Sequence, residues 1–229
     1  MQTVLITGAN RGLGLEFCRQ YAEADWLVIA ACREPENAAS LTQLATQYSK
    51  LKIITLDVQN HQQIDAYAAE LQDTAIDVFI SNAGVYGDRH ALGELDYAVW
   101  RDTLETNVLS AMKLAEAFAP HLAASKQGLF AAISSLMGSM ADNGSGGSYL
   151  YRSSKAALNA VMKSLSYDFA RQGTGVLIFH PGWVRTDMGG PNGLIEADES
   201  VAGMCHVIEN FDLAQTGRFI KYDGSAMPW

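Results

Sequence analysis

The sequence predicts an α/β fold in which a doubly wound parallel sheet of about seven strands carries helices on both faces. Three observations predict it. Short hydrophobic runs alternate with longer helical patterns along the whole 229-residue chain. Most of those runs are hydrophobic at every position, as strands are when helices cover both faces of their sheet. A glycine-rich turn follows the first run directly and opens a helical pattern, as expected where strand and helix alternate through a parallel sheet.

Taken in order, residues 3–7 (TVLIT) are the first predicted strand and residues 13–24 the helix that returns the chain. Residues 27–32 (LVIAAC) form the second strand, followed by a helical pattern over 37–49. The third strand is 51–56 (LKIITL), with a helix over 61–73, and the fourth is 77–81 (DVFIS). A long helical pattern over 96–124 leads to the fifth strand at 129–134 (LFAAIS). A second long one, 149–172, leads to the sixth at 176–180 (VLIFH). A last helix over 198–210 precedes a seventh strand at 217–221 (GRFIK). The glycine- and serine-rich stretch 143–148 reads as a loop. No solenoid-length repeat and no Pro- or Ser-rich linker interrupts the alternation, so residues 1–229 are expected to form one domain.

Composition narrows the function classes. Hydrophobic residues make up 48% of the chain, enough for a substantial core. Lys and Arg number 16 against 25 Asp and Glu, a net charge of −9, which argues against non-specific binding to nucleic acid or anionic lipid. No hydrophobic run approaches the roughly 18–20 residues that span a bilayer, and the N-terminus shows no secretory signal pattern. Cys18, Cys32 and Cys205 form no C-x-x-C pair and are expected to be reduced thiols in a cytoplasmic protein. The five histidines lack metal-site spacing, so no metal is expected.

The strongest local signal is Thr7-Gly8-Ala9-Asn10-Arg11-Gly12-Leu13-Gly14. Glycines here let the chain turn sharply, bring backbone amides close to a pyrophosphate and pack helix on strand. The positive end of the helix then faces the phosphates. The spacing is G-x-x-x-G-x-G rather than G-x-G-x-x-G, and by itself it also suits a tight strand–helix turn with no ligand. The end of the second strand refines the cofactor. Folds that prefer NAD place an acid about 20 residues beyond the glycines, to hold the ribose 2′-hydroxyl. Here the chain reads Ala31-Cys32-Arg33, with no acid before Glu34. Arg33, with Arg11 from the glycine turn, suits a 2′-phosphate instead, and NADP(H) is expected rather than NAD(H).

Further along, Tyr151 and Lys155 lie four residues apart, on one face of a predicted helix. Ser134 and Ser135 end the fifth strand, at the carboxyl edge of the sheet where open α/β folds bind ligands. A serine-hydrolase reading of Ser135 fails for want of a G-x-S-x-G elbow. A P-loop reading fails because no Gly-Lys-Ser/Thr follows the glycines.

With these motifs in order, joined by Asp57-Val58, Asn82-Ala83-Gly84, Asn107 and Pro181-Gly182, the whole chain resembles the short-chain dehydrogenase/reductase family, which has a Rossmann-type fold. Residues 151–166, 180–190 and the ending 222–229 look most like the subgroup holding the sniffer-type carbonyl reductases and the bacterial C-factor proteins. The resemblance implies a catalytic set of Asn107, Ser135, Tyr151 and Lys155. Tyr151 would be the general acid, and Lys155 and the oxidised nicotinamide would lower its pKa from an ordinary value near ~10. Lys155 would also bond the nicotinamide ribose. Ser135 would hold the carbonyl oxygen, and Asn107 a water passing protons to Lys155.

The resemblance further implies that Gly8, Asn10, Arg11, Gly12, Leu13 and Gly14 cradle the cofactor. Asp57 and Val58 would meet its adenine, and Asn82, Ala83 and Gly84 its adenosine ribose. Pro181, Gly182 and Val184 would border the nicotinamide, and Thr186 would bond its carboxamide or a phosphate. Two departures stand out: Ser81 replaces a common second Asn, and only about ten residues, 189–198, precede the last long helix, where many relatives carry a larger lid. A more open site is expected.

The function implied is NADPH-dependent reduction of a small aldehyde or ketone, with a C-factor-like dinucleotide-binding signalling protein as the alternative. A sugar-nucleotide epimerase is disfavoured by length and glycine spacing. Tyr86, Trp100, Met137, Met140, Tyr149, Trp183 and Met188 are candidates for the substrate pocket. Apolar stripes on the long helices, including Val108, Met112 and Ala115, then Leu158, Met162 and Leu165, suit either packing on the sheet or a homodimer interface, with a tetramer as the larger assembly.

Overall fold

The computed structural model describes residues 1–229. Its strands are β1 (Thr3–Thr7), β2 (Leu27–Cys32), β3 (Leu51–Thr55), β4 (Val78–Ser81), β5 (Leu129–Ile133), β6 (Gly175–His180) and β7 (Arg218–Lys221). They form one sheet in the order β3-β2-β1-β4-β5-β6-β7, and every pair is parallel. The predicted strands fall within a residue or so of these.

Alternation within each strand explains why the runs are hydrophobic throughout. Val4 and Ile6 of β1 enter a core on one face of the sheet, with Phe17 and Tyr21 of α1 (Gly12–Glu23), Leu41 of α2 (Ala39–Gln47) and Met204 of α7 (Ala197–Glu209). Leu5 points the other way, into a second core with Ile64 of α3 (His61–Glu70), Phe118 of α5 (Ser110–Ala123) and Met162 of α6 (Tyr149–Ala170). Phe79 of β4 stacks on Phe130 of β5 at 5.0 Å between ring centroids, so neighbouring strands lock side by side in that core. The two edge strands depart most from full burial: Lys52 and Thr55 of β3 and Arg218 of β7 are exposed.

The long helix expected over 96–124 is not continuous. It is α4 (Tyr97–Leu104), a π-helical turn over Glu105–Leu109, and α5. Thr103, Thr106 and Ser110 each turn their hydroxyl back onto the carbonyl four residues earlier, competition that loosens a helix. The wide turn carries Asn107 inward, and such turns concentrate at functional sites. The apolar stripes resolve as packing: Val108, Ala115, Leu158, Met162 and Leu165 are buried in the second core, and Met112 packs against it. No helix is long and apolar enough to cross a membrane.

Candidate active site

The chain reverses its winding direction between β1 and β4, which are neighbours in the sheet. At such a switch point the loops leaving two strands diverge and open a crevice at the carboxyl edge. The two loops here are the glycine turn after β1 and Asn82-Ala83-Gly84 after β4. Thr7 Oγ1 accepts from the amides of Asn82 and Ala83, both at 3.1 Å. The Asn82 side-chain amide donates to the carbonyls of Thr7 at 3.0 Å and Gly8 at 3.2 Å. Asn82 thus shapes the glycine turn, since both side-chain protons are engaged within it.

The turn itself suits an anion. Gly8 and Gly12 take φ of +65° and +53°, conformations that glycine adopts without strain. Helix α1 then begins with no side-chain cap at Arg11 and no acid in its first turn, leaving its first amides for a phosphate. Arg33 at the end of β2 is exposed and joins no ion pair. The nearest acid, Glu34, accepts from Asn37 at 2.9 Å. Arg11 is not free as expected: its guanidinium pairs with Asp187 at 3.0 Å, both side chains being largely exposed. That pair ties the glycine turn to the loop after β6. After β3, Asp57 Oδ1 accepts from the Gln59 amide at 3.1 Å, and Val58 is buried beside it.

The catalytic candidates converge at the same edge. Ser135 follows β5, and its hydroxyl accepts from the Met137 amide at 3.1 Å, so its own proton is not used in that bond. Tyr151 and Lys155 come from the first turns of α6, and both are buried. Lys155 Nζ donates to the Ile133 carbonyl at 2.9 Å and lies 5.7 Å from the centre of the Tyr151 ring. Asn107 is buried, with Oδ1 accepting from the Val85 amide at 2.8 Å and Nδ2 donating to the Val85 carbonyl at 2.8 Å and to Ser154 Oγ at 2.9 Å. Both amide protons are therefore committed, and of its side-chain sites one lone pair on Oδ1 remains for a water.

In the chain alone, burial sets the ionisation of both groups. Burial pushes the Tyr151 phenol up to about 12, and Ser135 only partly opposes it. Lys155 does not pull the phenol down, because desolvation dominates and the ammonium is itself held down, to about 8, by burial. The lysine carries a testable cost. A cation that binds its proton more weakly folded than unfolded destabilises the fold below its folded pKa. That penalty fades as pH rises towards the unfolded value, near 10.5. Between pH 7 and 10.5, wild type should gain on the order of 3 kcal/mol of stability relative to Lys155→Met. Paired urea titrations across that range measure the difference, and a pH-independent gap would contradict it.

The short chain dehydrogenase family model matches residues 2–194. The chain belongs to this family. It is 42% identical to the C-signal protein of Myxococcus xanthus over 164 residues, 72% of this chain and 99% of that one. The carbonyl reductase Sniffer of D. melanogaster superposes with a TM-score of 0.93 at 32% identity, over 100% of both chains. The NADPH-bound carbonyl reductase from chicken fatty liver gives 0.94 at 32% identity, over 100% of this chain and 99% of that one.

Around the crevice of this short-chain dehydrogenase, the loop after β6 is short, as expected, and pinned. Val184 bridges to Ile195, the Arg185 amide donates to the Ile195 carbonyl at 2.9 Å, and Arg185 pairs with Glu196. Thr186 lies against Gly12: a Cβ there would stand 3.5 Å from its methyl. Gly182 takes φ +87° beside Pro181. Of the pocket candidates, Tyr86 stands against Tyr151 and touches Met137, while Met140, Tyr149, Trp183 and Met188 are exposed. Trp100 instead packs on Tyr97 and donates to Ser153 at 2.9 Å, on the α4–α6 seam.

Sequence reasoning passed over Ser154 and Asn159. Asn159 is buried and accepts from Ser134 Oγ at 2.5 Å, keying α6 to the strand end that carries Ser135. A signal existed: Tyr151, Lys155, Leu158, Asn159 and Met162 share the buried face of α6. Polar residues on such a face need partners inside the fold.

Proposed function

We propose that this short-chain dehydrogenase is an NADPH-dependent reductase of small aldehydes or ketones. The observation that carries the reading is the convergence of Ser135, Tyr151 and Lys155, beside the glycine turn, at the carboxyl edge of the sheet. A protein that only bound a dinucleotide would have no need of an acid and its neighbours there.

The residues present fit the cofactor. Gly8, Asn10, Gly12, Leu13 and Gly14, with the uncapped start of α1, would hold its phosphates, and Arg33 its 2′-phosphate. Asp57 and Val58 would border the adenine, Ala83 and Gly84 the ribose, and Pro181, Gly182, Val184 and Thr186 the nicotinamide. Arg11 would reach a phosphate by exchanging its Asp187 partner for it. The cofactor would supply a hydride to the carbonyl carbon.

The chain's own groups do the rest. Ser135 donates to the carbonyl oxygen and orients it. Tyr151 gives that oxygen a proton, completing the alcohol. A phenol held near 12 stays protonated at neutral pH, the form an acid requires. Lys155, held near 8, exchanges protons with solvent close to neutrality and replaces the one Tyr151 gives up. Asn107 fixes the segment around Val85 and offers its remaining lone pair to the water that links Lys155 to solvent.

NADPH oxidation at 340 nm across aldehydes, quinones and diketones tests the reading. Turnover of at least one class is expected. Silence across the panel with tight cofactor binding would favour a dinucleotide-binding signalling protein. Arg33→Ala should raise the KM for NADPH about tenfold or more and leave that for NADH nearly unchanged; equal effects on both would sink the NADP assignment. We also propose a homodimer in a reducing, cytoplasmic setting, to be checked by sedimentation. Leu109 and Tyr167, exposed on the two long helical segments, are the residues to vary.

A further inference from the structure

The Tyr151 ring has a neighbour that no general feature of the catalytic set demands. Tyr86, in the loop after β4, lies parallel to it, with ring centroids 4.5 Å apart and planes 13° from parallel. The Arg89 guanidinium stands 4.5 Å from the centre of the same Tyr86 ring. The Tyr86 ring therefore holds two close contacts, the Arg89 guanidinium and the Tyr151 ring. Cation and ring attract through the ring quadrupole, and the stacked pair adds contact of its own. The Tyr86 hydroxyl is held as well, 2.9 Å from Ser148 Oγ.

Ser148 is unusual in two ways. It is one of only two non-glycine residues with positive φ, at +45°. It also precedes the first residue of α6 and yet makes no side-chain cap to that helix. A left-handed serine is strained, and an unmade cap forgoes the stabilisation a serine usually gives a helix start. Both costs fall at the start of the helix that carries Tyr151 and Lys155, and the hydroxyl so diverted goes to Tyr86. Strain of this kind persists where the surrounding structure holds it, and it gathers at functional sites.

We propose that Tyr86 is a positioning residue for Tyr151: held by Arg89 over its ring and by Ser148 at its tip, its ring sets the plane of the Tyr151 phenol and keeps the hydroxyl at Ser135. This rests on the reading of Tyr151 as the acid. The stack acts on orientation, so its loss lowers kcat and leaves NADPH affinity alone. It also shields the phenol from water and so helps hold its proton.

Three substitutions separate ring from hydroxyl. Tyr86→Leu removes the stack and keeps an apolar side chain, Tyr86→Phe keeps the ring and drops the bond to Ser148, and Ser148→Ala drops the same bond from the other side. Tyr86→Leu should lose about 30- to 100-fold in kcat, with the KM for NADPH within about twofold of wild type. Tyr86→Phe and Ser148→Ala should each lose only about threefold, a single hydrogen bond's worth. A readout that needs no turnover is the NMR titration of 13Cζ-labelled tyrosine, with the Tyr151 signal assigned by Tyr151→Phe. In wild type and Tyr86→Phe, that signal should titrate near the raised value of about 12. In Tyr86→Leu it should move down towards an ordinary phenol. An unmoved titration in Tyr86→Leu overturns the proposal, as does a Tyr86→Phe as impaired as Tyr86→Leu. Absence of any carbonyl reduction by wild type would instead reject the reductase reading and leave the titration to decide the role of Tyr86.

Discussion

Tyr151→Phe is expected to lower kcat for carbonyl reduction by about a thousandfold, while the NADPH dissociation constant stays within about twofold. The substitution removes one oxygen and keeps the ring, so the stack on Tyr86 and the burial of the residue are retained. On the proposed mechanism, what disappears is the donor that protonates the oxygen as hydride arrives. Ser135 cannot replace it, because a serine hydroxyl orients and polarises but is far too weak an acid to give up its proton at neutral pH. Steady-state rates at saturating NADPH, beside cofactor binding by fluorescence, separate the two effects. Residual activity above about a tenth of wild type would exclude Tyr151 as the principal acid.

Gly14→Ala is expected to destabilise the fold by about 3 kcal/mol or more and to abolish cofactor binding. An added Cβ would stand 2.1 Å from the Gly8 carbonyl oxygen and 2.7 Å from the Asn82 side-chain nitrogen. Neither can yield cheaply: one is backbone, and the other is bonded to Thr7 and Gly8. Relief requires α1 to lift away from the end of β1, and with it the amides that face the phosphates. For a chain of this length the loss corresponds to a fall in Tm of roughly 6–12 °C. A melting temperature within about 2 °C of wild type, with NADPH still bound, would show that the turn is looser than its geometry implies.

The fold was legible in the sequence because its main signals are local. A strand covered on both faces is hydrophobic at every position, and Val4, Leu5 and Ile6 are so because alternate residues enter opposite cores. The glycine turn was legible for the same reason, since its demands fall within eight residues. The π-helical turn at Glu105–Leu109 was not. Nothing in the helical period marks it: besides the local back-bonding of Thr103, Thr106 and Ser110, the bonds that hold Asn107 inward reach Val85 and Ser154, 22 and 47 residues away.

By itself, then, the sequence determined the order of strands and helices, the glycine turn, the lack of an acid before Glu34 at the end of the second strand and the placing of Tyr151 and Lys155 on one helical face. All of these follow from propensity and spacing within a few residues. Tertiary structure alone decided that Arg11 is paired with Asp187, 176 positions along the chain. It alone decided that the long helices turn their apolar stripes into the core, that Asn82 shapes the glycine turn, and that Tyr86 lies against Tyr151. It also raised the pKa of Tyr151 and lowered that of Lys155. Both shifts arise from desolvation, and how far a group is withdrawn from water is set by everything packed around it rather than by its neighbours in the chain.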